Sequence, residues 1–335
     1  MHTGVLSTIG NTPLVKLERL LDENSFDLYA KLESFNPAGS MKDRAALSVI
    51  RNGIEAGLIK PDTVIVESSS GNMGIGLAQA CSSYNLRFIC VVDPKATRQN
   101  INIIRAYGAE IDMVMEPDAN TGEFLQARLT RVVELQRTIV NSYWPNQYAN
   151  YYNAVSHHET MREIIAELGE DIDFLFCATS TCGTLRGCAD FIRDHGMRTK
   201  IIAVDAVGSV IFDDEKQKQK RLITGHGASV RPSLFRPGMA ERSVLVTDLE
   251  CIVGCRRLVS REAILAGGST GAIVATLERV RENIPAHATC VAIFPDRGER
   301  YLDTIYSDAW VAEHFGEVSH LWQQPRENES CEMVM

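Results

Sequence analysis

Residues 64–74 read Val64-Ile65-Val66-Glu67-Ser68-Ser69-Ser70-Gly71-Asn72-Met73-Gly74, and a second β-branched run, Arg87 to Val92, follows 12 residues later. The first four residues suit a buried strand, and the serines and glycine suit a turn. Met73 to Tyr84 then has apolar spacing that predicts a helix. Strand, polar turn, helix and second strand make a βαβ unit, whose two strands run parallel.

The same rhythm extends outward. Leu28–Leu32, Val64–Glu67, Arg87–Val92, Glu110–Met115, Phe174–Ala178, Lys200–Val204 and Thr289–Phe294 read as strands. They lack period-2 alternation, as expected of strands covered on both faces. Helical spacing fills most gaps, for example His157 to Leu168. The fold class is therefore α/β with mainly parallel sheets. No internal repeat or low-complexity segment stands out. Residues 213–220 (DDEKQKQK) read as an exposed, weakly lid-like loop, with a flexible Gly/Ser/Pro-bearing return through Gly238. A turn near Pro145 marks a boundary, and the end of the chain, 321–335, reads as a disordered tail.

The composition excludes several classes. The 335 residues are 45% hydrophobic and 23% charged, which is globular rather than disordered or fibrous. The net charge of −9, with no basic cluster, argues against nucleic-acid or anionic-membrane partners. No apolar run approaches the roughly 20 residues of a membrane span, and the N-terminus has no signal-peptide pattern. Nine scattered cysteines suit buried thiols in a reducing cytoplasm.

Four turns could carry chemistry. In Asn36-Pro37-Ala38-Gly39-Ser40-Met41-Lys42-Asp43-Arg44, a lysine opens a helix, where the dipole repels a cation but lowers its pKa toward amine chemistry. Alone, such a lysine reads more simply as a solvated surface residue, and the P-loop spacing is absent. Ser68 to Asn72 could cradle a carboxylate at a helix N-terminus, or merely cap the helix. Thr179-Ser180-Thr181-Cys182-Gly183-Thr184 offers hydroxyls and N–H groups to a phosphate, without the Rossmann glycine pattern. The fourth turn, Ala266-Gly267-Gly268-Ser269-Thr270-Gly271, precedes a helical stretch from Ala272 to Val280.

Together and in this order, the four turns resemble the fold-type II pyridoxal-phosphate enzymes of the cysteine synthase and cystathionine β-synthase group. The resemblance runs from Gly10-Asn11-Thr12-Pro13-Leu14 to Asp303. Segments 143–150, 204–212 and 294–303 are similar to the siderophore-pathway branch, the N-(2-amino-2-carboxyethyl)-L-glutamate synthases, which supply a precursor of 2,3-diaminopropionate. The resemblance implies β-replacement of O-phospho-L-serine by L-glutamate through an aminoacrylate, with release of phosphate. It also implies a homodimer of two α/β lobes, with the cofactor between a smaller mobile lobe (40–145) and a larger one (1–39 plus 146–320).

Carried over position by position, the resemblance makes Lys42 the Schiff-base lysine. Asn72 would bond the ring hydroxyl oxygen of pyridoxal 5'-phosphate, Ser180, Thr181, Cys182, Gly183 and Thr184 would hold its phosphate, and Ser269 would face the pyridine nitrogen. Ser69, Ser70 and Asn72 would take the substrate carboxylate, and Arg128, Tyr148 and Ser180 the leaving phosphate. Arg128 could instead be one of several arginines on a solvated helix face. Two departures, Ser180 and Cys182 at glycine positions and Met73 after the asparagine, count against cysteine synthase activity. Cysteine synthase on O-phosphoserine or O-acetylserine, and L-aspartate as acceptor, remain alternatives. No metal site is expected: His157-His158-Glu159 reads as a helix cap region, Cys251 and Cys255 as buried thiols, and Tyr151-Tyr152 as packing at the lobe boundary.

Overall fold

Two parallel sheets organise the chain in the computed structural model, which describes residues 2–22, 25–212 and 221–323. In chain order the strands are β1 (Leu14–Lys16), β2 (Asp27–Leu32), β3 (Val64–Ser68), β4 (Arg87–Val92), β5 (Glu110–Met113), β6 (Ser142–Tyr143), β7 (Phe174–Ala178), β8 (Lys200–Ala206), β9 (Arg242–Val246) and β10 (Thr289–Phe294). The helices are α1 (Lys42–Glu55), α2 (Asn72–Ser83), α3 (Arg98–Ala106), α4 (Phe124–Thr138), α5 (Tyr151–Leu168), α6 (Gly183–Asp194), α7 (Asp248–Glu262), α8 (Gly268–Val280) and α9 (Asp308–Phe315). One sheet has the order β1-β2-β10-β7-β8-β9 and the other β5-β4-β3-β6. Within these sheets β1 alone runs antiparallel to its neighbour.

The strands lack alternation because both faces of each sheet are covered. Along β10, Cys290, Ala292 and Phe294 join a core with α7 and α8, while Val291 and Ile293 join one with α5 and α6. In the smaller sheet, Ile65, Phe88 and Cys90 pack with α1 and α2, while Val64, Val66, Ile89 and Val91 pack with Val132 and Leu135 of α4. Burying a single Ile or Phe side chain this way is worth about 1.5–3 kcal/mol. The turns after β3, β7 and β10 leave the carboxyl ends of parallel strands, where open α/β sheets place their ligands.

Several expectations are corrected. The edge strands β1, β6 and β9 were not anticipated, since two to five residues carry too little pattern. Asn150 caps α5 by accepting from the Tyr152 N–H at 3.0 Å, so the helix starts at Tyr151. His157 therefore lies fully buried inside the helix rather than in its cap region. Tyr151 and Tyr152 open that helix largely exposed, with the Tyr151 hydroxyl on Asp190. Helix α8 begins at Gly268, which puts Ser269 in its first turn rather than ahead of it.

The return from 221 to 238 is not a free loop. Asp248 accepts from the Leu222 and Ile223 N–H groups, Ser209 Oγ from Ala228 N–H and the Tyr148 carbonyl from Leu234 N–H. Residues 213–220, read as a charged loop, lie outside the described residues. So does 324–335 of the expected disordered tail. Residues 321–323 of that tail are ordered by Arg257, which donates to the Leu321 carbonyl, and by Trp322, which packs on the core. Cys251 and Cys255 are buried free thiols.

Candidate active site

The turn before α1 is tied to the end of β10. Met41 N–H donates to the Pro295 carbonyl at 2.8 Å, Ala38 N–H to Asp43 Oδ2 at 2.6 Å, and Lys42 N–H to Ser40 Oγ at 3.2 Å. These bonds present Lys42 to a cavity between the two sheets' strand ends. Burial is the leading cause that holds the Lys42 ammonium below its ordinary pKa, with Cys177, Asp296 and Cys182 opposing it. A desolvated amine of this kind loses its proton more readily than a surface lysine.

The turn after β7 forms another wall of that cavity, from Thr179 through Thr184. Cys182 holds a left-handed backbone (φ +62°), a conformation glycine adopts without strain. Burial pushes its thiol up to about 12, so it faces the cavity neutral. Asn153 Nδ2 donates to Thr181 Oγ1 at 3.3 Å, and a Cβ on Gly183 would lie 2.3 Å from Asn153 Oδ1. The Thr184 hydroxyl meets His157 Nε2 at 3.2 Å, so a buried histidine outside the cavity orients this hydroxyl. Ser269 lines the same cavity from α8.

Asn72 opens α2 and reaches across to the other sheet. Its Nδ2 donates to Asp296 Oδ2 at 2.7 Å, and its Oδ1 accepts from Arg300, which also bonds the Ala38 carbonyl. Asp296 Oδ2 also accepts from the Tyr301 hydroxyl at 2.6 Å, while its Oδ1 is buried without a partner. Burial raises the Asp296 pKa, against the Tyr301 and Asn72 hydrogen bonds that lower it.

An adjoining cleft of about 330 Å³, open to solvent, shares Lys42, Asn72, Ser180 and Thr181 with the inner cavity. Its walls bring in Ser69, Ser70, Arg128 and Tyr148. Ser69 Oγ accepts from Gly74 N–H at 2.9 Å, which shapes the turn, and Asn100 Nδ2 donates to the Ser70 carbonyl at 3.0 Å. Arg128 is largely buried with its Nε 3.0 Å from Asp93 Oδ2, but the pair is misaligned for a hydrogen bond. Behind the serine turn, burial pushes Glu67 up to about 7, although Ser68 N–H, Trp144 Nε1 and Gln147 N–H all donate to it. Burial likewise raises the Tyr148 phenol.

All twelve residues nominated from the sequence thus line one or both of these connected spaces. Missing from that set are Asp296, Arg300 and Tyr301, and also Arg221 and residues 223–229, which wall the cleft. The position of 295–301 directly after a parallel strand was the available signal for the first group. The return to the cleft of 221–229 had none, because its Gly/Ser content reads as a loop.

A family model described as pyridoxal-phosphate dependent enzyme matches residues 5–296. The chain belongs to that family. The chain is also similar to solved structures of the cysteine synthase and cystathionine β-synthase group. A hydrogen sulfide-producing enzyme from Fusobacterium nucleatum is 33% identical over 90% of this chain and 98% of its own, with a TM-score of 0.83. An O-ureido-L-serine synthase is 32% identical over 93% and 99%, with a TM-score of 0.84. An O-acetylserine dependent cystathionine β-synthase from Helicobacter pylori is 29% identical over 92% and 99%, also at 0.84. The α/β architecture is that of the fold-type II members of this pyridoxal-phosphate dependent family.

The inner cavity fits the family's cofactor. A desolvated lysine amine faces a helix N-terminus lined by hydroxyls, which suits an aldehyde at one end and a phosphate at the other. One N–H of Asn72 Nδ2 is committed to Asp296, which leaves the second for a ring oxygen. Among the described residues no group of His, Cys, Asp and Glu could hold a metal ion, and no helix is long and apolar enough to cross a membrane.

Proposed function

We propose that this pyridoxal-phosphate dependent enzyme catalyses β-replacement, coupling O-phospho-L-serine to L-glutamate to give N-(2-amino-2-carboxyethyl)-L-glutamate and phosphate. The observation that carries this reading is the outer cleft: besides Lys42, three cations, Lys95, Arg128 and Arg221, line it with two carboxylates, Asp93 and Glu123, beside Ser69, Ser70 and Tyr148. The donor's phosphate and carboxylate use some of these groups in either reaction, and an acceptor bearing carboxylates uses the remainder, which sulfide does not need.

When bound, pyridoxal phosphate supplies the electron sink that acidifies the donor's α C–H. The 180–184 turn would hold the cofactor phosphate, Asn72 its ring oxygen and Ser269 its ring nitrogen. Ser69, Ser70 and Asn72 orient the donor carboxylate. Lys42 Nζ, neutral more often than a surface amine, takes the α-proton and later returns it. Arg128, Tyr148 and Ser180 receive the departing phosphate, whose charge their hydrogen-bond donors stabilise. The reading carries a cytoplasmic homodimer in which residues 40–145 move against the rest, and its product feeds 2,3-diaminopropionate and siderophore synthesis.

The test is phosphate release from O-phospho-L-serine by the pyridoxal-phosphate-loaded protein. Release beyond a single turnover should depend on L-glutamate and yield the coupled product by mass. A second reading, sulfhydrylase activity on O-phosphoserine or O-acetylserine, is favoured by the similar hydrogen sulfide-producing and O-acetylserine dependent enzymes. It wins if sulfide drives turnover and neither L-glutamate nor L-aspartate does.

A further inference from the structure

The outer cleft holds more recognition groups than one phosphorylated amino acid uses. With the donor on Ser69–Asn72 and Arg128, the wall formed by Arg221 and residues 223–229 is left over. On that wall Arg221 Nη1 donates to the His226 carbonyl at 3.1 Å, and a Cβ on Gly227 would lie 2.4 Å from the same nitrogen. Glycine at 227 therefore lets the guanidinium lie across its own loop. No carboxylate pairs with Arg221 among the described residues.

His226 supplies an independent observation. It lines the cleft, is only 2% exposed, and neither ring nitrogen has a hydrogen-bond partner. The Thr179 carbonyl beside the ring already takes the Gly227 N–H at 2.8 Å, and the ring is not aligned with it. Buried polar groups are normally paired, so two unmet nitrogens in a cleft mark a place for a ligand. Thr224 and Gly225, just before His226, also touch the inner cavity with Lys42. The wall thus runs from the lysine end to the outer cleft.

We propose that Arg221 and His226 form the subsite for a carboxylate of the second substrate, which makes the acceptor an amino acid rather than sulfide or a simple amine. This rests on the coupling reaction proposed above. Burial and the adjacent guanidinium hold the His226 imidazole down to about 4. The neutral ring then offers one N–H to a carboxylate oxygen beside the Arg221 fork.

The experiment uses the loaded enzyme and the variants Arg221→Gln, Arg221→Lys and His226→Leu. In Arg221→Gln and His226→Leu the KM for L-glutamate should rise at least about tenfold, with partial recovery in Arg221→Lys. Single-turnover phosphate release from O-phospho-L-serine, and any sulfide-driven turnover, should change less than about twofold. An unchanged glutamate KM, or equal losses with glutamate and sulfide, overturns the subsite. Calorimetric binding of glutarate, which has carboxylates and no amine, separates the two proposals. If the wild type does not couple glutamate, the reaction is wrong, yet the subsite stands when glutarate binding falls at least about tenfold in Arg221→Gln. Equal glutarate binding by wild type and Arg221→Gln sinks the subsite whichever reaction the enzyme performs.

Discussion

The inner cavity and the outer cleft share a wall but are built differently. Around the inner cavity, Asn72 bonds Asp296 across the two sheets, Tyr301 braces Asp296 and His157 meets Thr184, which leaves Asp296 Oδ1 as the unpaired atom of that set. Around the outer cleft, Ser68 Oγ, Asn100 Oδ1 and both His226 nitrogens have no hydrogen-bond partner, and Arg128 Nε has only its misaligned ion pair with Asp93. A cofactor that stays bound rewards a fixed cradle, whereas substrates that come and go require groups that are free to receive them. Within the cleft, the unmet polar atoms mark groups left free to receive a substrate.

The contrast makes graded predictions. Lys42→Ala should remove the visible absorption band of the loaded protein and lower turnover by about 10³-fold or more. A coloured, active Lys42→Ala protein would abolish the inner cavity's assigned role. Next, Arg128→Gln should raise the KM for O-phospho-L-serine by about tenfold or more while the cofactor band stays in place. A shifted band with unaltered KM would mean that Arg128 serves the inner cavity instead.

Asp296→Asn disturbs the acceptor that Asn72 and Tyr301 share, and cofactor affinity should fall about tenfold by spectroscopic titration. Unaltered affinity would show that the bonds across the sheets do not set the cradle. For Glu67, the folded value of about 7 lies above the ordinary 4.5. The folded protein keeps this proton to higher pH than the unfolded chain. The stability it contributes is full below about pH 4.5 and is lost as pH rises through about 7. Glu67→Gln should flatten the fall in urea midpoint between pH 5 and pH 8, recovering about 1–3 kcal/mol at the upper end. Asp43, also pushed up to about 7 by burial, leaves a residual slope. The smallest effect is Cys182→Gly, which relieves the left-handed backbone and should stabilise the protein by up to about 1 kcal/mol in thermal unfolding.

The readable part of the fold was the interior. Strands such as Arg87–Val92 and Phe174–Ala178 are continuous apolar runs because helices cover both faces, and they match the structure end for end. Helix starts were less legible: α5 and α8 begin six and four residues before the apolar spacing does. Tyr151 bonds Asp190 and Ser269 lines the cavity, and so both break the pattern. In the site, Lys42, Asn72 and the 180–184 turn were legible because chemistry at a helix N-terminus needs small polar residues close together in sequence. Asp296 and His226 were not, since a lone aspartate after a proline and a histidine in a glycine stretch acquire meaning only from neighbours far along the chain.

By itself the sequence determined the α/β class, the parallel strands and the four turns, because periodicity and turn chemistry are local properties. Tertiary structure alone decided that Asn72 meets Asp296 and Arg300, that Glu67 is buried behind the serine turn, and that Arg221 and His226 face the same cleft as Arg128. Those juxtapositions join residues separated by up to 228 positions. Desolvation and long-range pairing set their chemistry, and neither is written in any single stretch of the chain.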